Sequence, residues 1–280
     1  VLLADSRVEP EARQKDGVTA LALAALNGHA TVVQVFLDDP RIDVNTRSNG
    51  GWTPLMCAAQ NGHLEVIQVL LADPLVNPEV RQEDSVTCLA IAAWNGQATV
   101  VQALLNDSRI DVNTRSNDGW TPLMFATRNG RLEVIQVLLA DSRVDPEARS
   151  EDDLTSLTIA AWNGQAPAVQ VLLNDSRIDV NTCTNRGATP LMASAEGGHF
   201  EVARRLLADS RVDPEARAEN GVTCLSIAAG NGHVPVMQVL LNDSRIDVNT
   251  YNNEGWTPLM FAARNGHLDA VRVLLADSRV

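Results

Sequence analysis

Gly51-Trp52-Thr53-Pro54-Leu55-Met56-Cys57-Ala58-Ala59-Gln60-Asn61-Gly62-His63-Leu64-Glu65-Val66-Ile67-Gln68-Val69-Leu70-Leu71 reads as two short helices joined by a glycine turn. Thr53 can cap the first helix, and Pro54 suits its first turn, where a missing N–H costs nothing. Leu55, Ala58 and Ala59 fall at i, i+3 and i+4, a one-sided apolar stripe kept thin by its alanines. Asn61-Gly62 breaks the helix, since Gly is favoured where φ turns positive. From Leu64 to Leu71 the apolar residues cover a wide arc, as on a helix packed by neighbours on both sides. Asp73-Pro74 ends that helix, and a segment of turn and extended character follows.

The same reading returns every 34 residues. Its anchor is Gly17-Val18-Thr19, Gly51-Trp52-Thr53, Ser85-Val86-Thr87, Gly119-Trp120-Thr121, Asp153-Leu154-Thr155, Gly187-Ala188-Thr189, Gly221-Val222-Thr223 and Gly255-Trp256-Thr257. Self-similarity at such a period predicts a solenoid in which each repeat buries its apolar face against its neighbours. The units run approximately 14–47, 48–81, 82–115, 116–149, 150–183, 184–217, 218–251 and 252–280, with 1–13 the remnant of a preceding unit. A second period of 68 lies over the first. Odd units mostly carry V-T-[ACS]-L entered by Pro-Glu-Ala-Arg, and even units, except at Ala188, carry W-T-P-L entered by Val-Asn-Thr and most often Arg, so the pair is expected to be the unit of duplication. Val273 to Val280 repeats Val1 to Val8, which reads as a piece cut from a longer array.

Gly51-Trp52-Thr53-Pro54-Leu55, Ala58-Ala59, Asn61-Gly62-His63, Val66-Ile67, Leu70-Leu71 and Asp43-Val44-Asn45 together resemble the ankyrin repeat, and the resemblance covers essentially the whole chain. It implies an all-α, right-handed solenoid of stacked helix pairs with β-hairpin-like finger loops, gently curved, with a concave face of fingers and first helices. Two departures stand out. The extra residue over the usual family period is expected in the finger, within Asp-Ser-Arg-Val/Ile-Asp. The family's His after Thr-Pro-Leu, a brace for the fingers, is replaced by Met56, Met124, Met192 and Met260.

The formal net charge of −13 argues against nucleic acid, which is bound by clustered Lys and Arg, and against anionic membrane surfaces. No apolar run reaches a membrane-spanning length. Cys57, Cys88, Cys183 and Cys224 stand in different units without a C-x-x-C pair, which fits reduced thiols in an intracellular, cytoplasmic or nuclear protein. His29, His63, His199, His233 and His267 occupy one column, too far apart along the stack for a shared metal, and read as loop or capping residues. No nucleophile arrangement, phosphate loop or carboxylate pair suggests an enzyme, and no cofactor is expected.

The aromatic residues point to a surface. Trp52, Trp120 and Trp256 lie inside G-x-T, Trp94 and Trp162 end first helices, and Tyr251 lies at a finger's return. By resemblance these columns face the concave groove, and Trp and Tyr are enriched in binding hot spots. The structural alternative is that a Trp at the finger base packs on its neighbour. Arg128 and Arg264 share the column of Trp94 and Trp162. Beside them run Arg13, Arg47, Arg81, Arg115, Arg149 and Arg217, a ladder for an acidic or extended partner or else partners of nearby acids. Arg7, Arg41, Arg109, Arg143, Arg177, Arg211, Arg245 and Arg279, flanked by acids, read as bracing inside the finger. Asn45, Asn113, Asn181 and Asn249 follow Asp-Val with a Leu eight residues upstream, a pattern similar to ankyrin sites modified by asparaginyl hydroxylases; alternatively each bonds its own turn. The expected function is a non-enzymatic array binding a protein or peptide in its groove through Trp anchors. The alternatives are a spacer whose length matters more than its face, or head-to-tail self-association through uncapped ends.

Overall fold

The structure is a computed structural model that describes residues 9–279, so the expectations for Arg7 and for the opening Val1 to Val8 fall outside the described residues. Within it sixteen α-helices follow one another in pairs, and the only β feature is an isolated bridge between Arg13 and Thr19. The chain forms two compact blocks, residues 1–145 and 146–280. The first holds α1 (Ala20–Leu26) with α2 (Ala30–Leu37), α3 (Pro54–Asn61) with α4 (Leu64–Ala72), α5 (Cys88–Asn95) with α6 (Ala98–Leu105), and α7 (Pro122–Arg128) with α8 (Leu132–Ala140). The second holds α9 (Ser156–Trp162) with α10 (Ala166–Leu173), α11 (Pro190–Glu196) with α12 (Phe200–Ala208), α13 (Cys224–Gly230) with α14 (Val234–Leu241), and α15 (Pro258–Arg264) with α16 (Leu268–Ala276). This is the all-α, paired-helix organisation of an ankyrin-repeat solenoid, as the sequence predicts.

Helices of seven to nine residues are not stable alone in water, so packing holds them. Inside each block first helices pack on first helices, second on second, and each pair on itself. The short side chains of the first helices permit this: Leu55, Met56, Ala58 and Ala59 are buried, and Val66, Ile67 and Leu70 complete the layer from α4. Each buried Leu, Ile or Met side chain contributes about 2 kcal/mol. The threonine of every anchor is the N-cap expected of it, as where Met56 N donates to Thr53 Oγ1 at 3.3 Å.

Gly62 ends α3 at φ 77°, and a Cβ there would run into the Gln97 side chain of the next repeat. The left-handed backbone is what favours glycine there, since the Gln97 side-chain end could move aside. The anchor glycine is replaced by Ser85 (φ 60°) and Asp153 (φ 62°), which hold the same left-handed backbone. Asp153 gains an ion pair with Arg149 at 3.0 Å.

Each finger closes as a narrow tip. Ser48 N donates to Trp52 O and Gly51 N to Ser48 O, both at 2.9 Å. Neighbouring tips are tied by Asn49 N to Asp16 O (2.8 Å) and Asn117 N to Asp84 O (3.0 Å), and in the second block by Glu219 N to Arg186 O (3.1 Å) and Asn253 N to Asn220 O (3.0 Å). The fingers are therefore braced through backbone, without the family histidine. Met56, Met124 and Met192 are buried in its place.

Two expectations are corrected here. The Asp-Ser-Arg residues form a turn at the C-terminal end of each second helix, ahead of the finger. Their arginines also do more than brace their own turn. Arg109 pairs with Asp107 at 2.6 Å and reaches back to Leu71 O and Val76 O of the preceding repeat, each at 2.9 Å. Arg143 does the same to Leu105 O (2.6 Å), Arg211 to Leu173 O (2.7 Å), Arg245 to Leu207 O (3.1 Å) and Arg279 to Leu241 O (2.7 Å). The leucine carbonyls lie at the ends of second helices and have no partner inside them, while Val76 O belongs to the turn that follows.

Candidate aromatic recognition surface

The aromatic columns are built from helix ends and finger bases. Trp120 and Trp256 immediately precede the N-cap threonines of α7 and α15, where their backbone N–H groups donate to Ser116 Oγ (3.1 Å) and Asn252 Oδ1 (2.8 Å). One helical turn on, Phe125 and Phe261 project beside them. The ring centroids lie 5.5 Å apart for Trp120 and Phe125, and 5.7 Å for Trp256 and Phe261. Arg128 and Arg264 end the same helices and cover the indoles, with the guanidinium carbon 5.3 Å from the Trp120 centroid and 5.0 Å from that of Trp256. Cation–π contacts of this kind contribute about 0.5–1 kcal/mol when exposed.

In the first block a fourth side chain joins. Trp94, near the end of α5, meets Phe125 edge-on at 5.4 Å, and Arg128 lies 5.8 Å from its centroid. Trp94, Trp120, Phe125 and Arg128 thus form one partly exposed cluster spanning two repeats. Its floor is apolar and its rim carries a guanidinium. Trp162, the corresponding residue of α9, has Ala188, Ala193 and Glu196 where Trp94 has Trp120, Phe125 and Arg128, and is more exposed, 49% against 38%. Trp52 is half-buried, with Cys57 in the phenylalanine position. Tyr251 is 65% exposed, and its carbonyl accepts Arg217 Nη1 at 2.7 Å.

The remaining candidates lie in cross-repeat bracing. Arg47 Nη2 donates to Arg81 O at 2.7 Å, and Arg81 Nη1 to the Arg115 carbonyl at 2.9 Å. The guanidinium column therefore reaches forward to the next repeat's backbone, and an acid is engaged at Arg149. Asn45 Nδ2 donates to Leu75 O while its Oδ1 accepts from Asn77 N, both at 2.7 Å. Asn113 and Asn181 repeat both bonds, and Asn249 donates to Arg279 O. These side chains therefore bind the following repeat's turn, whereas in their own turn it is the asparagine backbone N–H that donates to the preceding Asp, as from Asn45 N to Asp43 Oδ1 at 3.0 Å. His63 Nε2 lies 2.9 Å from Leu26 O, His199 Nε2 2.9 Å from Trp162 O and His233 Nε2 3.0 Å from Glu196 O, so the histidines close the first helix of the repeat before.

Phe125 and Phe261 were not among the sequence candidates. Their signal is co-occurrence: in the column Leu23, Cys57, Ile91, Phe125, Ile159, Ala193, Ile227, Phe261, phenylalanine stands only where Trp lies five residues before and Arg three after. Among the described residues no three His, Cys, Asp or Glu side chains converge as a metal site would need, and no helix is long and apolar enough to cross a membrane.

A family model described as ankyrin repeats (3 copies) matches residues 1–79, 72–150, 142–218 and 208–280. Comparison with curated proteins gives no match.

Proposed function

We propose, because this chain belongs to the ankyrin repeat family, that it is a recognition array whose aromatic surface binds a protein or peptide. Ankyrin repeats are generally protein–protein interaction modules and typically carry no catalysis. What supports the finer reading is the cluster of Trp94, Trp120, Phe125 and Arg128, a rigid aromatic floor with a charged rim on an otherwise alanine-lined helix layer. Hot spots have that composition. Trp162 and Tyr251 are the exposed anchors, while Trp52, Trp120 and Trp256 supply the floor. Arg128 and Arg264 contribute polar contacts, and Arg47 and Arg115, placed along the brace column, contribute at the margin.

The test is a paired pull-down from the source cell's lysate with the intact array and with Trp52, Trp94, Trp120 and Trp162 changed to Ala, both checked by circular dichroism. A protein retained by the first and lost by the second is the expected result. Identical lists from two folded baits favour the spacer, for which the uniform inter-repeat bracing argues. Trp94→Ala and Trp162→Ala should each weaken binding by about 2 kcal/mol. A residence inside the cell, head-to-tail association and hydroxylation at Asn45, Asn113, Asn181 and Asn249 are separate proposals. The last requires the side-chain amide's hydrogen bonds to the following repeat to open first, and a gain of one oxygen on those peptides after incubation with an asparaginyl hydroxylase tests it.

A further inference from the structure

Trp94 and Trp162 stand two repeats apart in one column, and their following neighbours carry opposite charge. The residue one repeat on from Trp94 is Arg128, whose guanidinium sits 5.8 Å from the indole centroid. The residue one repeat on from Trp162 is Glu196, the last residue of α11, and its side chain is exposed. The helices α9 and α11 pack directly on each other, as α5 and α7 do. Among the described residues no ring or cation is stacked on Trp162, which is 49% exposed, and Ala188 and Ala193 stand where Trp120 and Phe125 stand beside Trp94.

We propose that Trp162 and Glu196 receive a cationic side chain, an arginine or lysine borne by an extended basic segment of the partner. This rests on the recognition role proposed above. The chain contains its own demonstration of the geometry, because at Trp94 a cation already lies on the indole from the position that Glu196 occupies at Trp162. Reversing that charge removes the internal cation and supplies a carboxylate for an external one. An indole face and a carboxylate together bind a cation more tightly than either alone, by the ring quadrupole and by a charge-assisted hydrogen bond. A chain with 35 acidic against 22 basic residues also draws a basic segment toward it. His199 fixes the backbone at the Trp162 end of α9, so the indole is presented from a held helix terminus.

The experiment uses the whole chain labelled with 5-fluorotryptophan and followed by fluorine NMR, with the Trp162 signal assigned from Trp162→Phe. The probe is a blocked peptide of four arginines; a lysine version and a neutral citrulline version are the comparisons. The expected result is a saturable shift of the Trp162 signal with arginine and lysine but not citrulline, while the Trp94 signal stays in place. Glu196→Arg should weaken that binding at least tenfold, and Glu196→Gln should weaken it less. An equal shift with citrulline, unchanged affinity in Glu196→Arg, or no shift at millimolar peptide overturns the proposal. Were a lysate partner lost with Trp162→Ala yet retained by Glu196→Arg, groove recognition would stand and the cation site would fall.

Discussion

Glu79 and Asn113 stand in the same column one repeat apart, and each accepts a backbone N–H from the repeat that follows. Asp111 N donates to Glu79 Oε1 at 3.2 Å, and Asp145 N to Asn113 Oδ1 at 2.8 Å. Asn113 then adds Nδ2 to Arg143 O at 2.8 Å, a bond that a carboxylate cannot make. The column reads Glu11, Asn45, Glu79, Asn113, Glu147, Asn181, Glu215, Asn249, and the alternation is the 68-residue period expressed as hydrogen bonding. Glu11 and Glu215 hold Asp43 N and Asp247 N in the same way as Glu79 holds Asp111 N.

Glu79→Gln should therefore stabilise the array, since an amide keeps the acceptor and gains a donor. About 0.5–1.5 kcal/mol is expected in urea unfolding at neutral pH. Asn113→Ala, which leaves two backbone groups without their partner, should cost about 1–3 kcal/mol. A Gln variant no more stable than the parent would show that the amide does not reach the turn.

Leu75 stands where the other described repeats carry the turn arginine, and it is 73% exposed. Asp73 is already in place, accepting from Leu75 N at 2.8 Å. The preceding Pro74 is no obstacle, because Arg41 follows Pro40 and still pairs with Asp39 at 2.6 Å. Leu75→Arg should recover the ion pair and reach the end of α2, raising stability by about 1 kcal/mol in thermal or urea melts.

The turn aspartates set the acid limit. The Arg two residues on holds each carboxyl of Asp107, Asp175, Asp209 and Asp243 below its ordinary value, and holds Asp39 and Asp277 at about 2. A depressed carboxyl contributes stability that is present above its unfolded value of 3.8 and lost as pH falls through its folded one. Burial pushes Glu79 and Glu215 the other way, so their contribution is full below the ordinary glutamate range and lost as pH rises through their folded values. Glu201, hydrogen-bonded by Arg204, is also lowered, so seven groups oppose two. The urea midpoint should fall as pH drops below about 4. The fall should be steeper in a Glu79→Gln, Glu215→Gln variant, which lacks the opposing gain.

Thiol reactivity separates one cysteine from three. Cys183 is exposed, while Cys57, Cys88 and Cys224 are buried. Cys88 and Cys224 donate Sγ–H to Pro78 O and Pro214 O at 3.3 and 3.2 Å. Burial pushes all three buried thiols up, to about 11 for Cys57, so little thiolate forms near neutrality. Iodoacetamide should label Cys183 alone in the folded protein at pH 8, and the other three after unfolding, as read by peptide mass spectrometry.

Helix positions were legible because they rest on local chemistry. Thr caps, Pro at the first turn, Gly at the break and the thin alanine stripe each act within a few residues. What escaped the sequence acts across 30 to 38 residues, as in Asn113 with Arg143 or Arg143 with Leu105. The histidine column of His63 reads from sequence only as loop or capping residues, and Gln97 and Arg131 share it though their side chains differ. All three nevertheless present an N–H to the helix end before, at Leu26 O, Gln60 O and Trp94 O. The aromatic columns were found because Trp is rare in this chain. Their phenylalanine floor was not, because a Phe in an amphipathic helix looks like core until its neighbours in the next repeat are known.

The alternation of Glu79 with Asn113 bears on how such a chain can change length. Excising two consecutive repeats joins a Glu-bearing repeat to an Asn-bearing one, the same chemical match as before, and nothing at the seam has to adapt. Excising one sets glutamate against glutamate or asparagine against asparagine, with turn partners evolved for the other. Recombination among such genes is free to add or drop pairs and is penalised for odd numbers, so the reach of the array comes in quanta of two.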